Sequence, residues 1–251
     1  MSRDTDNSTA QFYAGWDVGA WNCDKNPRSR DAIVILDSRN QIVGKPWGWK
    51  NLRTQINDAS STDEWIKKLF DLCDTNVPDA PIHLTLAIDT PLGFSDSFRR
   101  LVENLESVDQ DIGSSSANPY LFRDTELFLF RNEITPLSAI KDMIGSQATK
   151  GMHVLSKFAP QTSDCGIWSD GRQLTVIEAY PSACKGSSMM RNLRHHPPLG
   201  RDDIEDALTC ALVAYVFGSD QEKLAMPPTS TSLQEGWIFF PKDVLRNEDP
   251  A

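Results

Sequence analysis

An α/β fold, a mixed sheet flanked by helices, is what this sequence predicts, and three observations predict it. Three strand-like runs, the last two joined by a short turn, fill most of residues 11–50. Helix-like and strand-like segments then alternate toward the C-terminus. The last long apolar stretch, GRDDIEDALTCALVAYVFG at 200–218, has the length of a helix and opens with four acids.

Each element has its own signal. QFYAGWDVG (11–19) is rich in aromatics and ends in a Gly-flanked Asp. DAIVILD (31–37) is a second apolar run, SRN is a turn, and QIVGKPWGWK (41–50) reads as a third strand. Short connections make these three an antiparallel meander. After Ser61–Thr62, Trp65, Leu69 and Leu72 recur at helical spacing, with Asp63 and Glu64 at the start. Pro78 and Pro81 end that helix. IHLTLAID (82–89) is a strand, FRRLVENLESV (98–108) a helix, LTVIEAYP (174–181) a strand, and 201–217 the last helix. Residues 109–172 show no clear period and read as an insertion: a loop through Ser114–Ser116 and Asn118–Pro119, the aromatic LFRDTELFLFR, and the polar IGSQATKG. MPPTSTS is a further loop, before the apolar GWIFFP. Three hairpin strands followed by helix, strand, helix, insertion, strand and helix is the element order of the ribonuclease H-like fold. The expectation is a five-stranded mixed sheet in one domain, 11–251, behind a mobile tail, 1–10.

Composition sets the setting. No apolar run approaches the ~18 residues of a membrane span, and the polar start MSRDTDNSTAQ lacks a signal-peptide core. Five scattered cysteines without CxxC or zinc spacing read as reduced cytoplasmic thiols. A net charge of -10 counts against a broad electrostatic grip on nucleic acid, though not against a local basic groove.

The acids carry the chemical argument. Three strands end in one: Asp17 in GWDVG, Asp89 in AIDTPLG and Glu178 in VIEAYP. A carboxylate at the end of an apolar strand is costly to bury unpaired, and open sheets collect their sites beyond one end of the strands. On the last helix, Asp202-x-x-Glu205 has capping-box spacing with Asp202 as N-cap, and Asp203 sits in the first turn, where the macrodipole favours negative charge. Asp206 lies beyond that turn, on a stripe with 203, 210 and 213, and is expected to face the sheet. Clustered carboxylates repel, and a cation relieves them. An all-oxygen set suits Mg²⁺ or Mn²⁺, the ions of two-metal phosphodiester cleavage. Gly15 and Gly19 leave room for close approach beside Asp17.

GWDVG, AIDTPLGF, VIEAYP and RDDIEDALTCALVA, in this order and spanning residues 15–214, resemble the domain-of-unknown-function 429 family, predicted nucleases with a ribonuclease H-like fold. The resemblance implies that fold and an acidic site at Asp17, Asp89, Glu178, Asp203 and Asp206. The chain is similar, more distantly, to Holliday junction resolvases, where acids on two strands and the last helix hold the metals. In that comparison Asp17 is the first-strand acid and Asp206 the helix acid. Asp89 and Glu178 remain alternatives for the direct ligand between them.

Within 109–172, IGSQATKGMH resembles a signature of one branch of that family. Its Ser146, Gln147, Thr149 and Lys150 could contact a phosphate or base, or could simply start a helix. Arg123 in FRDTE could clamp a phosphate bidentately, or pair with Asp124 or Glu126. Trp16, Trp21, Trp47 and Trp49 are read as core or rim. The leading expectation is a Mg²⁺- or Mn²⁺-dependent nuclease or phosphodiesterase acting on nucleic acid or a nucleotide-like substrate, with Asp17, Glu178, Asp203 and Asp206 as metal ligands. The alternatives are an actin-like nucleotide-binding protein and a non-catalytic binding protein on the same scaffold.

Overall fold

The computed structural model describes residues 9–22, 30–114 and 117–246, apart from the side chain of Trp49. Residues 1–8 of the expected tail, Cys23, Ser115 and Ser116 lie outside the described residues. The expected tail does not extend to residue 10, because Ala10 already pairs within β1.

A mixed, open sheet with helices on both faces forms the frame. Its order is β3-β2-β1-β4-β7-β6-β5, and β8 also pairs with β7. The strands are β1 (Ala10–Asp17), β2 (Asp31–Asp37), β3 (Trp47–Lys50), β4 (Ile82–Asp89), β5 (Gln161–Asp164), β6 (Ile167–Ser169), β7 (Leu174–Ala179) and β8 (Ile238–Phe239). The first three are antiparallel neighbours, as the meander reading expects. β1, β4 and β7 run parallel, with the intervening helices as crossovers.

Among the described residues eight strands replace the expected five. The extra ones cover the outer edge of β7, which would otherwise be unpaired. β6 takes Thr175–Ile177 and β8 takes Glu178–Ala179. β5 and β6 form a hairpin inside the segment expected to be an insertion. β5 (QTSD) is exposed along its whole length and carries no apolar alternation to announce it. The third strand is shorter than 41–50 because Gly44 turns the chain at φ +70 against Cys73.

The helices are α1 (Arg53–Asp58), α2 (Thr62–Leu72), α3 (Asp96–Asn104), α4 (Asp124–Arg131), α5 (Gly145–Phe158), α6 (Pro181–Cys184), α7 (Ser188–Leu193) and α8 (Asp202–Ser219). α2 starts where its signal lies: the Ser61 hydroxyl accepts from the Glu64 N–H at 3.2 Å. α3 is shorter than 98–108, ending where Leu105 adopts a positive φ of 55. α8 departs from the capping-box expectation. Arg201 is its N-cap and offers no side-chain cap. Glu205 instead accepts from the Leu199 N–H at 2.6 Å and pairs with Arg194.

Strand alternation divides the core in two. Ala14, Trp16, Ile33, Ile35, Leu86 and Ile88 face one cluster with Trp65, Phe70 and Phe158 of α2 and α5. Tyr13, Ala32, Val34, Ala87 and Ile177 face the other with α8. α8 lies directly on β1. A Cβ at Gly15 would fall 1.9 Å from the Ala207 carbonyl oxygen and 2.3 Å from the Ala211 nitrogen. Only glycine permits that approach, and it brings the start of α8 over the end of β1. Cys73, Cys165, Cys184 and Cys210 are buried thiols. Among the described residues no helix is long and apolar enough to cross a membrane.

Candidate active site

Asp17 and Asp89 are the last residues of β1 and β4, and they are register partners. Neighbouring strands lie ~4.8 Å apart, so two carboxylates share one strand end. Parity gives both the α8 face: Tyr13 and Ala87 precede them at even spacing and pack in the α8 cluster. Asp206 lies one turn before Cys210, whose Cβ would be 2.8 Å from a Cβ at Gly15. A cleft of about 190 Å³ opens over the strand ends, lined by Asp17, Asp89, Thr90, Gln147, Glu178 and Tyr180 among others.

Asp17 and Asp89 are electrostatically unrelieved, and Asp206 only partly relieved. Burial, then Asp89, Asp206 and Asp203, raise the Asp17 carboxyl well above the carboxylate range. Burial, followed by Asp206 and Glu178, pushes Asp89 up to about 8. Burial also raises Asp206, with Asp202 and Asp203 adding to it against the pull of Lys185 and Arg194. Among the described residues none of these three carboxylates has a hydrogen-bond or ion-pair partner.

Glu178 stands apart. It pairs with Ile88, one residue out of step with Asp89, so its side chain leaves from the opposite face. Its two oxygens accept from the Arg123 guanidinium at 2.7 and 2.8 Å, and one also accepts from the Leu92 N–H at 2.9 Å. Arg123 is 2% exposed. It further donates to Glu126 at 2.9 Å and to the Glu235 carbonyl at 3.0 Å. The expected phosphate clamp is therefore a buried ion-pair network, of the kind the Arg123–Glu126 spacing allowed. Glu178 serves that network while it also lines the cleft and adds its charge to Asp89.

Lys150 is corrected in the same way. It is fully buried, and its ammonium donates to Asp31 at 2.5 Å, the Gly19 carbonyl at 3.0 Å and Asn51 at 3.1 Å. Asp31 also accepts from the Gly19 N–H, the Trp16 indole and the Leu52 N–H. This hub fixes the turn that follows Asp17. Sequence reading missed Asp31, and its only signal was an acid heading the apolar run of β2. Ser146 and Thr149 lie in α5, not in a phosphate loop. Ser146 accepts from the Trp21 N–H at 3.1 Å, and Thr149 from the Trp21 indole at 3.3 Å. Asp203 is held by Arg201 through both carboxylate oxygens. Burial raises its carboxyl, but Arg201 and backbone donors outweigh that and leave it low.

Comparison with protein-family models, with curated proteins and with solved structures returns no match to this chain. The site's chemistry therefore rests on its own donors. They are hard carboxylate oxygens, the set that suits Mg²⁺ or Mn²⁺. Among the described residues no three His, Cys, Asp or Glu side chains are gathered to hold an ion alone. Mg²⁺ does not require such a cage, since it keeps waters and binds through one or two carboxylates plus substrate phosphate. The Asp17–Asp89 pair fits that sparse seat.

Proposed function

We propose that this chain is a divalent-metal-dependent phosphodiester hydrolase on a ribonuclease H-like sheet, related to the domain-of-unknown-function 429 family, and that its substrate is nucleic acid or nucleotide-like. One observation carries the reading. Asp17 and Asp89 are side by side at parallel strand ends with no hydrogen-bond or ion-pair partner among the described residues, and Asp206, which Lys185 and Arg194 only partly offset, adds its charge to both. Uncompensated carboxylates lining a cleft are costly unless a cation joins them.

In this reading Asp17 and Asp89 hold Mg²⁺ or Mn²⁺. The ion would supply Lewis-acid stabilisation of phosphoryl oxygens and a more acidic water. Asp206, raised by burial, accepts a hydrogen bond from the attacking water and takes up its proton. The Glu178–Arg123 pair positions Leu92 and so the turn after Asp89. The Asp31–Lys150 pair positions the turn after Asp17. These four residues keep the two aspartates fixed without touching substrate.

One observation favours a second reading. Asp89 is raised to about 8, so at neutral pH a proton can relieve the cluster in place of a metal. A non-catalytic binding protein would keep that state. Calorimetric titration of Mn²⁺ into metal-free protein separates the two. The hydrolase reading expects saturable binding, lost in Asp17→Asn and weakened in Asp206→Asn, with both variants folded. Absence of saturable binding by the wild type supports the non-catalytic reading.

A further inference from the structure

A second cavity, of about 230 Å³, adjoins the acidic cleft and differs in sign. It is lined by Lys185, Arg191, Arg194 and Asp206, with Pro181 and Thr209 among its walls. Its volume is several times the ~30 Å³ share of one water. The two cavities lie near each other without sharing a wall residue: Tyr180 lines the first and the next residue, Pro181, the second, and Asp206 borders the second while its charge reaches Asp17 and Asp89. Three cations around one concavity are notable on a chain with 25 basic and 35 acidic residues.

Two of the cations, Arg191 and Arg194, are also held in place. α7 is anchored at its start, where the Ser187 hydroxyl accepts from the Met190 N–H at 3.0 Å. Asp243 accepts from the Ser188 hydroxyl at 2.8 Å and the Met189 N–H at 2.9 Å. Buried Met190 packs in the α8 core. Arg191 follows it and donates to the Gly186 carbonyl at 3.2 Å. Arg194 is braced by Glu205 and Thr209 of α8. Glu205 offsets much of the charge of Arg194, which leaves Lys185 and Arg191 as the main source of positive potential. The one carboxylate on the cavity, Asp206, sits at the side toward the acidic cleft.

We propose that Lys185, Arg191 and Arg194 form a phosphate-binding subsite that seats a phosphate of the substrate next to the aspartates. The proposal rests on the hydrolase reading for its biological meaning and supplies what that reading lacks. Asp17, Asp89 and Asp206 repel a phosphodiester, and a neighbouring cationic seat offsets that repulsion without a broadly basic surface. The phosphate could belong to a polynucleotide backbone or to a small phosphorylated ligand.

The test uses pyrophosphate as probe, titrated calorimetrically into the full chain in EDTA at low ionic strength, where such contacts are least screened. The proposal expects saturable binding without metal. It expects Lys185→Gln/Arg191→Gln to weaken binding roughly tenfold or more, as loss of charge-assisted contacts does. Lys67→Gln on distant α2 is the control, and Tm confirms that all variants fold. Labelled short single-stranded DNA and RNA are then added. Displacement of the oligonucleotide by pyrophosphate assigns the seat to a polynucleotide. Pyrophosphate binding without oligonucleotide binding assigns it to a small phosphorylated ligand. No saturable pyrophosphate binding to the wild type, or equal binding by the double variant, overturns the subsite. Mn²⁺ titration of the same proteins keeps the two readings separable. Pyrophosphate binding lost in the double variant, with no Mn²⁺ bound by any protein, keeps the subsite and removes the metal hydrolase.

Discussion

Asp17 and Asp89 are register partners at the ends of adjacent parallel strands, and burial and then the charge of Asp89 raise the carboxyl of Asp17. A ligand that needs both as carboxylates must displace protons. Mn²⁺ binding is therefore expected to release protons and to tighten as pH rises toward about 8, where Asp89 ionises. Calorimetry in buffers of differing ionisation enthalpy reads the proton count. Affinity independent of pH between about 6 and about 8.5 would detach Asp89 from the ion.

The same residue gives the metal-free protein a pH signature. Its folded value, about 8, lies above the ~3.9 of an unfolded Asp. The folded state thus holds the proton more tightly. That contribution is complete below the unfolded value and is lost as pH rises through the folded one. Without metal, Tm of the wild type should fall between about pH 4 and 8 relative to Asp89→Asn. Parallel Tm profiles for the two proteins would contradict the raised carboxyl.

Arg123 and Glu178 are expected to govern stability and not ion binding. Arg123→Met strands the buried Glu126 and Glu178 and should cost ~3–5 kcal/mol in denaturant unfolding, the usual cost of breaking a buried pair. Glu178→Gln keeps the shape and one acceptor oxygen while Glu126 still pairs with Arg123, so it should cost less and leave Mn²⁺ affinity within about threefold, under ~0.7 kcal/mol. A Glu178→Gln protein that folds but no longer binds Mn²⁺ would make Glu178 a ligand after all.

Lys150→Met should destabilise by a similar ~3–5 kcal/mol, because it leaves Asp31 charged and buried. Asp31→Asn/Lys150→Met should recover part of that loss. A double variant no better than Lys150→Met would mean that the pair's worth lies in its backbone contacts.

Gly15→Ala tests how α8 is placed. The new methyl meets backbone atoms at 1.9 and 2.3 Å, and backbone cannot step aside as a flexible side chain can. The expected cost is at least the ~1–3 kcal/mol of an overpacked core. Mn²⁺ affinity should weaken as Asp206 moves from the strand ends. Wild-type stability in this variant would show that α8 approaches less closely.

Much of the frame was legible because local patterns decide it. Residues 31–37 and 82–89 are strands as read, since apolar runs bounded by turns leave little alternative. Ser61 caps α2 where its spacing says. The acids at three strand ends were visible as well. Which of them share a face was not, because facing depends on register between strands distant in sequence. Asp17 pairs with Asp89, whereas Glu178 pairs with Ile88, and that single-residue offset turns Glu178 to the other side. The fates of Arg123 and Lys150 were hidden for the same reason. A cation reads alike whether it meets solvent, substrate or a buried carboxylate, and its partners Glu178 and Asp31 lie 55 and 119 residues away. Sequence determined which residues could ionise and where β2 and β4 end. Only the tertiary structure decided which charges are compensated, because compensation is set by contacts between distant segments.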